Sequence, residues 1–169
     1  MPLSGSRGEA CRRKMRNTFD AGSIDILLVE DDAGEARLAK YALGRGGISG
    51  NLYHVEDGVE AMQFLHRQHN YTDVPLPDLI LLDLNLPRKD GREVLAEIKE
   101  DPELRLVPVV VLTTSAAERD LLKTYDLHAN AYVIKPMDLD QFIEVVQAIE
   151  NFWFMVVKLP QVGERKNPA

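Results

Sequence analysis

Short apolar runs alternate with segments of helical periodicity along most of the chain, from Ile24 to Val157. Runs rich in Val, Ile and Leu predict β-strands over residues 24–29, 52–55, 79–82, 107–112 and 131–134. Apolar positions spaced three and four apart predict helices over residues 33–43, 59–67, 91–99, 118–125 and 139–157. Strict alternation of this kind is typical of a parallel α/β sheet with helices on both faces.

The order of these elements leaves few topologies, because crossovers between parallel strands are right-handed. A doubly wound sheet of strand order 2-1-3-4-5 and a larger nucleotide-binding sheet are the common outcomes, and five strands favour the first. The unbroken apolar run over residues 79–82 is suited to burial on both faces and is predicted to be the central strand. Ligands of such sheets bind beyond the carboxyl ends of the strands at the switch point, which indicates Glu30, Asp31 and Asp83.

The composition is that of one ordinary folded domain, with 169 residues, 45% of them hydrophobic and 28% charged. A net charge of -7 argues against a broad basic face for nucleic acid, so we expect no nucleic-acid partner. The single cysteine, Cys11, excludes an internal disulfide and a zinc site built on several thiolates. No apolar run is long enough to span a membrane and no secretion signal stands at the start, so we expect a cytoplasmic protein without a membrane partner.

The two ends of the chain differ from the body in composition. Residues 1–22 are predicted to be a disordered basic extension, residues 23–157 the folded domain and residues 158–169 a C-terminal tail. A docking arm for a membrane surface or a partner, and translation starting at Met15, are alternatives for the basic segment. Since only a short tail follows the last predicted helix, we expect the protein to signal by protein contact, without a DNA-binding domain.

Acidic residues follow two of the predicted strands. The first strand runs into Glu30, Asp31 and Asp32 in LLVEDD, and the third runs into Asp83 in LLDLNLP. Because like charges at close range raise each other's pKa, a hard, oxygen-seeking cation such as Mg²⁺ is the natural partner of these carboxylates. Solubilising charges at the sheet edge are the alternative for any one of them. We expect Asp32 to cap the first helix instead of binding metal.

Two further strand ends add a hydroxyl and a cation to the same rim. The fourth strand runs into Thr113 and the fifth into Lys135, followed by Pro136. A hydroxyl can donate to an oxyanion and an ammonium can pair with one. With the acidic residues, they describe a site for a doubly charged group bound to a metal.

The constellation, in this order, resembles the receiver domain of two-component response regulators, with its flavodoxin-like fold. The motifs that carry the resemblance are LLVEDD, LILLDLNLP, VVLTTS and AYVIKP. It implies that Asp83 is the phosphoacceptor, a carboxylate nucleophile that takes a phosphoryl group from a histidine kinase. Asp31, Asp83 and the main-chain carbonyl of Asn85 would hold Mg²⁺, with Glu30 acting directly or through water. Such a protein is not an enzyme, but assists its own phosphotransfer and dephosphorylation.

The same resemblance assigns roles to three more residues. Lys135 would pair with a phosphoryl oxygen, and Pro136 matches the family position where a cis bond points that lysine inward. Thr113 and Tyr132 match the family's switch pair, in which the hydroxyl is drawn to the phosphoryl group and the tyrosine rotates into the vacated space. A tyrosine at the edge of the core is the alternative for Tyr132.

Finer motifs resemble the stand-alone response regulators that are paired with phytochromes in cyanobacteria and other bacteria. They are EDDAGEARL, DGVEAMQFL, LDLNLPRKDGREVLAEIK and ENFWFMVVKLP. The resemblance implies a phytochrome-type sensor histidine kinase as partner, and a homodimer. Phe152, Trp153 and Phe154 are consecutive and cannot all face one core from a helix, so we expect an outward aromatic at a dimer interface. Coverage of these rings by the C-terminal tail is the alternative.

Three other functions remain to be tested. An aspartyl-phosphate hydrolase of the haloacid dehalogenase type carries its nucleophile on the first strand, whereas the candidate here is on the third. A flavodoxin-like mononucleotide carrier needs a phosphate-binding loop where this chain has three acidic residues. An unphosphorylated receiver-like scaffold would have no need of the complete set of Glu30, Asp31, Asp83, Thr113 and Lys135.

Overall fold

A computed structural model describes residues 23–45, 50–114 and 128–153. Five strands form one sheet: β1 (Ile24–Val29), β2 (Gly50–Val55), β3 (Leu79–Asp83), β4 (Val109–Thr113) and β5 (Ala131–Ile134). Four described helices accompany them: α1 (Ala33–Arg45), α2 (Gly58–Leu65), α3 (Gly91–Glu100) and α4 (Leu139–Asn151). Single 3₁₀ turns lie at His69–Tyr71 and Leu104–Leu106. The helix predicted over residues 118–125 falls outside the described residues.

The sheet is entirely parallel and has the order β2-β1-β3-β4-β5. This confirms the predicted doubly wound topology, with β3 at the centre and all its residues buried. Alternate residues of the central strands pack in two different apolar clusters, because successive side chains of a strand point to opposite faces of the sheet. Leu27 and Ile80 pack with α2 and α3 on one face, whereas Leu28 and Leu81 pack with α1 and α4 on the other.

Several element boundaries differ from the predicted ones by one or more residues, and three of them illustrate the local structure involved. Strand β4 starts at Val109, two residues later than predicted, because Pro108 has no N–H to donate and the N–H of Val107 closes the preceding 3₁₀ turn. Helix α2 ends at Leu65, and Arg67 adopts a left-handed φ of 54° that stops helical continuation. Helix α1 continues through Gly44 to Arg45, two residues beyond its predicted end at residue 43.

Aspartates cap all four described helices, with Asp32 at the start of α1. The Asp57 side chain accepts from the N–H of Glu60 at α2, and Asp138 accepts from Gln141 at α4. Asp90 forms a capping box at α3. These caps fix the points at which the chain leaves the site-bearing edge of the sheet.

The last helix is described as far as Asn151, and Phe152 and Trp153 continue it as a wider π turn. The predicted continuation over 154–157, together with Phe154, lies outside the described residues, as do the basic N-terminal segment and the C-terminal tail. Among the residues that are described, every helix is too short or too polar to cross a bilayer.

Candidate functional site

The acidic residues that follow β1 and β3 meet at one edge of the sheet. Val29 is in register with Leu82, so Glu30 and Asp83 leave the two adjacent strands at the same level. Carboxylate oxygens of Glu30, Asp31 and Asp83 all lie within 4.8 Å of one another. Glu30 and Asp83 are buried, whereas Asp31 is exposed to solvent. The predicted convergence of these three side chains is confirmed.

A tight loop after β3 holds Asp83 in place. The N–H of Asn85 donates to Oδ1 of Asp83 at 3.1 Å, and the N–H of Gly91 donates to the carbonyl of Leu84 at 2.9 Å. A Cβ atom at position 91 would lie 2.2 Å from the carbonyl oxygen of Asp83, so only glycine fits where α3 begins. The Asn85 side chain is exposed, and its backbone carbonyl comes two residues after Asp83 in this loop.

Lys135 enters the acidic cluster from the loop after β5. Its backbone N–H donates to the carbonyl of Thr113 at 2.7 Å, and its side chain is buried. The ammonium forms ion pairs with the carboxylates of Glu30 and Glu35, and Nζ lies 3.3 Å from Oδ2 of Asp83. The predicted lysine therefore lies against the candidate phosphoacceptor.

The cis bond expected before Pro136 is absent, because no peptide bond among the described residues is cis. The trans form is the lower-energy state of such a bond in general. Lys135 reaches Asp83 without it, since the hydrogen bond to Thr113 places its backbone at the rim and its long side chain spans the remaining distance.

Burial and ion pairing have opposite effects on the pKa values of Glu30 and Lys135. Burial raises the pKa of the Glu30 carboxyl to about 8, although the hydrogen bond and charge of Lys135 act to lower it. Burial alone would lower the pKa of Lys135, but its hydrogen bonds to Glu30 and Glu35 and the charge of Asp83 raise this pKa above its ordinary value. Lys135 therefore remains an ammonium, and Glu30 takes up a proton more readily than an ordinary glutamate does.

The two candidate switch residues lie on the neighbouring strands. Thr113 ends β4, one position beyond the residue paired with Asp83, and is 1% exposed. Tyr132, on β5, is paired with Val111 of β4 and packs, partly buried, against the apolar cluster of α2 and α3. The predicted order along the rim is confirmed, while the motion assigned to this pair stays a prediction.

Asp32 caps α1, as expected, with Oδ1 accepting the N–H of Glu35 at 2.8 Å. Glu35 itself is a site residue that the sequence analysis missed. Its position three residues after the cap is that of a capping-box glutamate, whose side chain folds back on the cap. In the structure that side chain extends to Lys135 instead. Only the contact with a lysine 100 residues away reveals it, and local spacing carries no such signal.

Two other polar contacts brace the loops around the site. In the first, Nε2 of His54 on β2 lies 2.7 Å from the backbone carbonyl oxygen of Glu30. Arg88 pairs with Asp57 at 3.0 Å and so joins the loop after β3 to the loop after β2.

Comparison with known proteins identifies the family of this site. Residues 26–147 match the family described as the response regulator receiver domain. The chain belongs to the response regulator receiver family. Receiver domains are phosphoacceptor signalling modules that bind a divalent metal ion, and the three clustered carboxylates supply the oxygen ligands that such a hard cation prefers. Family membership favours the receiver interpretation over the hydrolase and the mononucleotide carrier.

The receiver domain is similar to cyanobacterial proteins along nearly their whole length. It is 51% identical over 135 residues to the response regulator Rcp1 of Synechocystis sp., covering 80% of this chain and 92% of that protein. The crystal structure of the phosphorylated cyanobacterial phytochrome response regulator RcpA matches with a TM-score of 0.80 and 48% identity, covering 83% of this chain and 100% of that one. The Mn²⁺-bound form of Rcp1 matches with a TM-score of 0.78 and 50% identity, covering 82% and 99% of the two chains.

Proposed function

We propose that this receiver domain accepts a phosphoryl group on Asp83 from a phytochrome-type sensor histidine kinase and signals through protein contacts. The carrying observation is the buried Asp83 carboxylate, clustered with Glu30 and Asp31 and faced by the Lys135 ammonium. A carboxylate oxygen of Asp83 attacks phosphorus, the new O–P bond forms, and the bond from phosphorus to the kinase histidine breaks. The electron pair of that bond leaves with the imidazole, which takes up a proton.

Mg²⁺ is the metal that we propose for this transfer. Asp31 and Asp83 provide carboxylate ligands, the Asn85 carbonyl is the third protein ligand, and Glu30 acts directly or through water. When bound, Mg²⁺ supplies charge that screens the phosphoryl oxygens from the surrounding carboxylates and stabilises the transfer. Lys135 would bind a phosphoryl oxygen and so orient the incoming group.

The phosphoryl group then acts on the switch pair. It adds about 1.5 to 2 negative charges and strong hydrogen-bond acceptors to the site. The buried Thr113 hydroxyl donates to it, and Tyr132 turns into the space beside β4. Hydrogen bonds to charged groups contribute about 1.5–3 kcal/mol each, and two of them invert a conformational preference of a few kcal/mol.

The proposal assigns no turnover of external substrates to this chain. The same residues assist phosphorylation and later hydrolysis of the aspartyl phosphate, so the cycle is a signal with a limited lifetime. The acidic balance of -7 supports a function without nucleic-acid binding, and we place the protein in the cytoplasm with its kinase. The predicted division of the chain into residues 1–22, 23–157 and 158–169 stays a prediction, because its two ends lie outside the described residues.

The kinase assignment rests on relatives, because RcpA is a cyanobacterial phytochrome response regulator and is 48% identical to this chain. A purified phytochrome histidine kinase, autophosphorylated with radiolabelled ATP, tests it directly. We expect rapid, Mg²⁺-dependent loss of label from the kinase to the wild-type chain and none to Asp83→Asn, which is isosteric but not nucleophilic. Equal transfer from an unrelated sensor kinase, or label on Asp83→Asn, would contradict the proposal.

A further inference from the structure

Glu35 is the one carboxylate at Lys135 to which the proposed chemistry assigns no function. It comes from the first turn of α1, where its backbone is fixed by the Asp32 cap. Its side chain nevertheless forms an ion pair with Lys135, which arrives from the far end of the chain. This contact joins α1 to the loop after β5 directly over Asp83.

The Lys135 ammonium has no donor to spare in this arrangement. A lysine ammonium carries three N–H donors, and Lys135 meets three carboxylates, those of Glu30, Glu35 and Asp83. A phosphoryl oxygen that binds Lys135 must therefore replace one of these acceptors. A buried carboxylate that loses its ion pair is strongly destabilised. The carboxylate that loses its contact with Lys135 is therefore the one that can be solvated by water instead.

Exposure distinguishes the three acceptors. The side chains of Glu30 and Asp83 are 3% and 9% exposed, whereas that of Glu35 is 35% exposed. Glu35 can leave Lys135 for solvent without opening the core. Its negative charge also opposes an incoming dianion close by.

We infer that Glu35 is a positioning residue that holds Lys135 in the unphosphorylated state and competes with the phosphoryl group for it. This inference rests on the proposed function and deepens it, because it names the group that sets how readily Asp83 is phosphorylated. Loss of the Glu35 charge frees Lys135 for the incoming phosphoryl oxygen. Loss of a charge-assisted pair of this partly exposed kind corresponds to about a three- to tenfold change in the rate of Asp83 phosphorylation.

The test measures the rate constant of labelling by acetyl phosphate and Mg²⁺, followed by intact-protein mass over hours so that slow variants also yield a value. In this step the Asp83 oxygen forms a bond to phosphorus, and the bond from phosphorus to acetate breaks, with acetate leaving with the electron pair. We expect Glu35→Gln to be labelled about three to ten times faster than wild type. The same ranking is expected for affinity for beryllofluoride with Mg²⁺, measured by fluorine NMR.

Asp32→Asn is the matched control for charge at this rim. It removes one negative charge three residues from Glu35, and asparagine is an equally good helix cap. Since the ion pairs of Lys135 among the described residues are with Glu30, Glu35 and Asp83 and not with Asp32, the Asp32→Asn rate should differ from that of wild type by less than about twofold.

Lys135→Gln separates competition from simple repulsion. If Glu35 acts through Lys135, the gain from Glu35→Gln falls below about twofold in the Lys135→Gln background, as a double-mutant cycle requires. An equal gain in both backgrounds, a gain shared by Asp32→Asn, or no gain from Glu35→Gln would overturn the inference while leaving Asp83 labelling intact. Failure of the wild-type chain to be labelled at all would overturn the proposed function and this inference together.

Discussion

Gly91 lies so close to the backbone of Asp83 that a larger residue would displace the loop after β3. A Cβ atom there would lie 2.2 Å from the Asp83 carbonyl oxygen and 2.6 Å from Cα of Leu84. We predict that Gly91→Ala lowers the free energy of unfolding by about 1–3 kcal/mol, because the loop must shift to relieve this overlap. Urea denaturation measures the change.

Gly44→Ala is the control for this prediction. A Cβ atom at Gly44, within α1, meets nothing within 4 Å. Alanine is favoured over glycine in a helix by about 0.5–1 kcal/mol, so this variant should be slightly more stable than wild type. Equal stability of wild type and Gly91→Ala would contradict the steric account.

At the residue scale, strand-end residues were predictable and cross-chain contacts were not. Glu30, Asp31 and Asp83 meet because parallel strands present their carboxyl ends at one edge, a consequence of topology that the sequence pattern already carries. The ion pair of Glu35 with Lys135 depends on the exact position of a loop, about which apolar spacing gives no information. The prediction of a cis bond before Pro136 was wrong for a similar reason, since the surrounding packing decides between the cis and trans isomers.

At the element scale, α4 carries a buried acid outside the phosphoryl site. Glu150 is 3% exposed, and within the described part of the chain its Oε2 has no hydrogen-bond partner. Burial raises the pKa of this carboxyl above its ordinary value of 4.5. The folded state then binds the proton more tightly than the unfolded state, so Glu150 costs stability progressively as pH rises above about 4.5.

We therefore predict that Glu150→Gln is more stable than wild type at pH 7.5, by about 1 kcal/mol, with the difference shrinking toward pH 4.5. Thermal unfolding across this pH range measures the difference. Glu144→Gln removes a charge from the exposed side of the same helix and should show no such trend. A Glu150→Gln advantage that does not vary with pH would show that the carboxyl's charge is not its cause.

Element boundaries agree with the predicted ones where polar residues directly flank an apolar run. Strands β1 and β5 begin and end as predicted, because an apolar run flanked by polar residues defines each of them. The predicted start of β4 was wrong because Pro108 has no N–H to donate, and the predicted end of α1 was wrong because the helix continues through Gly44; the apolar pattern encodes neither. The buried face of α4 contains Phe142 and Val146, which pack with apolar residues of α1 and the sheet.

At the scale of the whole molecule, the end of α4 supports the proposed homodimer. Phe152 is 50% exposed, whereas Trp153 packs partly buried against the cluster of α1 and α4, and their rings meet edge-on at 5.5 Å. One aromatic therefore projects outward, as the consecutive aromatic residues predict. Exposed Met137 and Leu139 add apolar surface at the start of the same helix.

We predict that Phe152→Glu weakens dimerisation at least about tenfold, because the variant places a charge in the proposed apolar contact. Sedimentation equilibrium over a range of concentrations measures the dissociation constant. Leu106→Glu, a charge placed at a similarly exposed apolar residue elsewhere, should leave it unchanged. A wild-type chain that stays monomeric, or an equal effect of both variants, would contradict the dimer.

The overall topology was the most predictable property of the molecule. Alternating strands and helices, right-handed crossovers and a central apolar strand allow little besides the order β2-β1-β3-β4-β5. That order brings Glu30, Asp83, Thr113 and Lys135 to one edge from four separate strands. The identity of the partner is not encoded in this arrangement, and it rests on likeness to the cyanobacterial relatives.

Every function proposed for this chain depends on phosphorylation of Asp83, which intact-protein mass after incubation with acetyl phosphate and Mg²⁺ detects as an added phosphoryl group. We expect one phosphoryl adduct on the wild-type chain, none on Asp83→Asn, and none on the wild-type chain when EDTA removes the metal. Absence of an adduct on the wild-type chain, or equal labelling of Asp83→Asn, would contradict the account and favour an unphosphorylated scaffold.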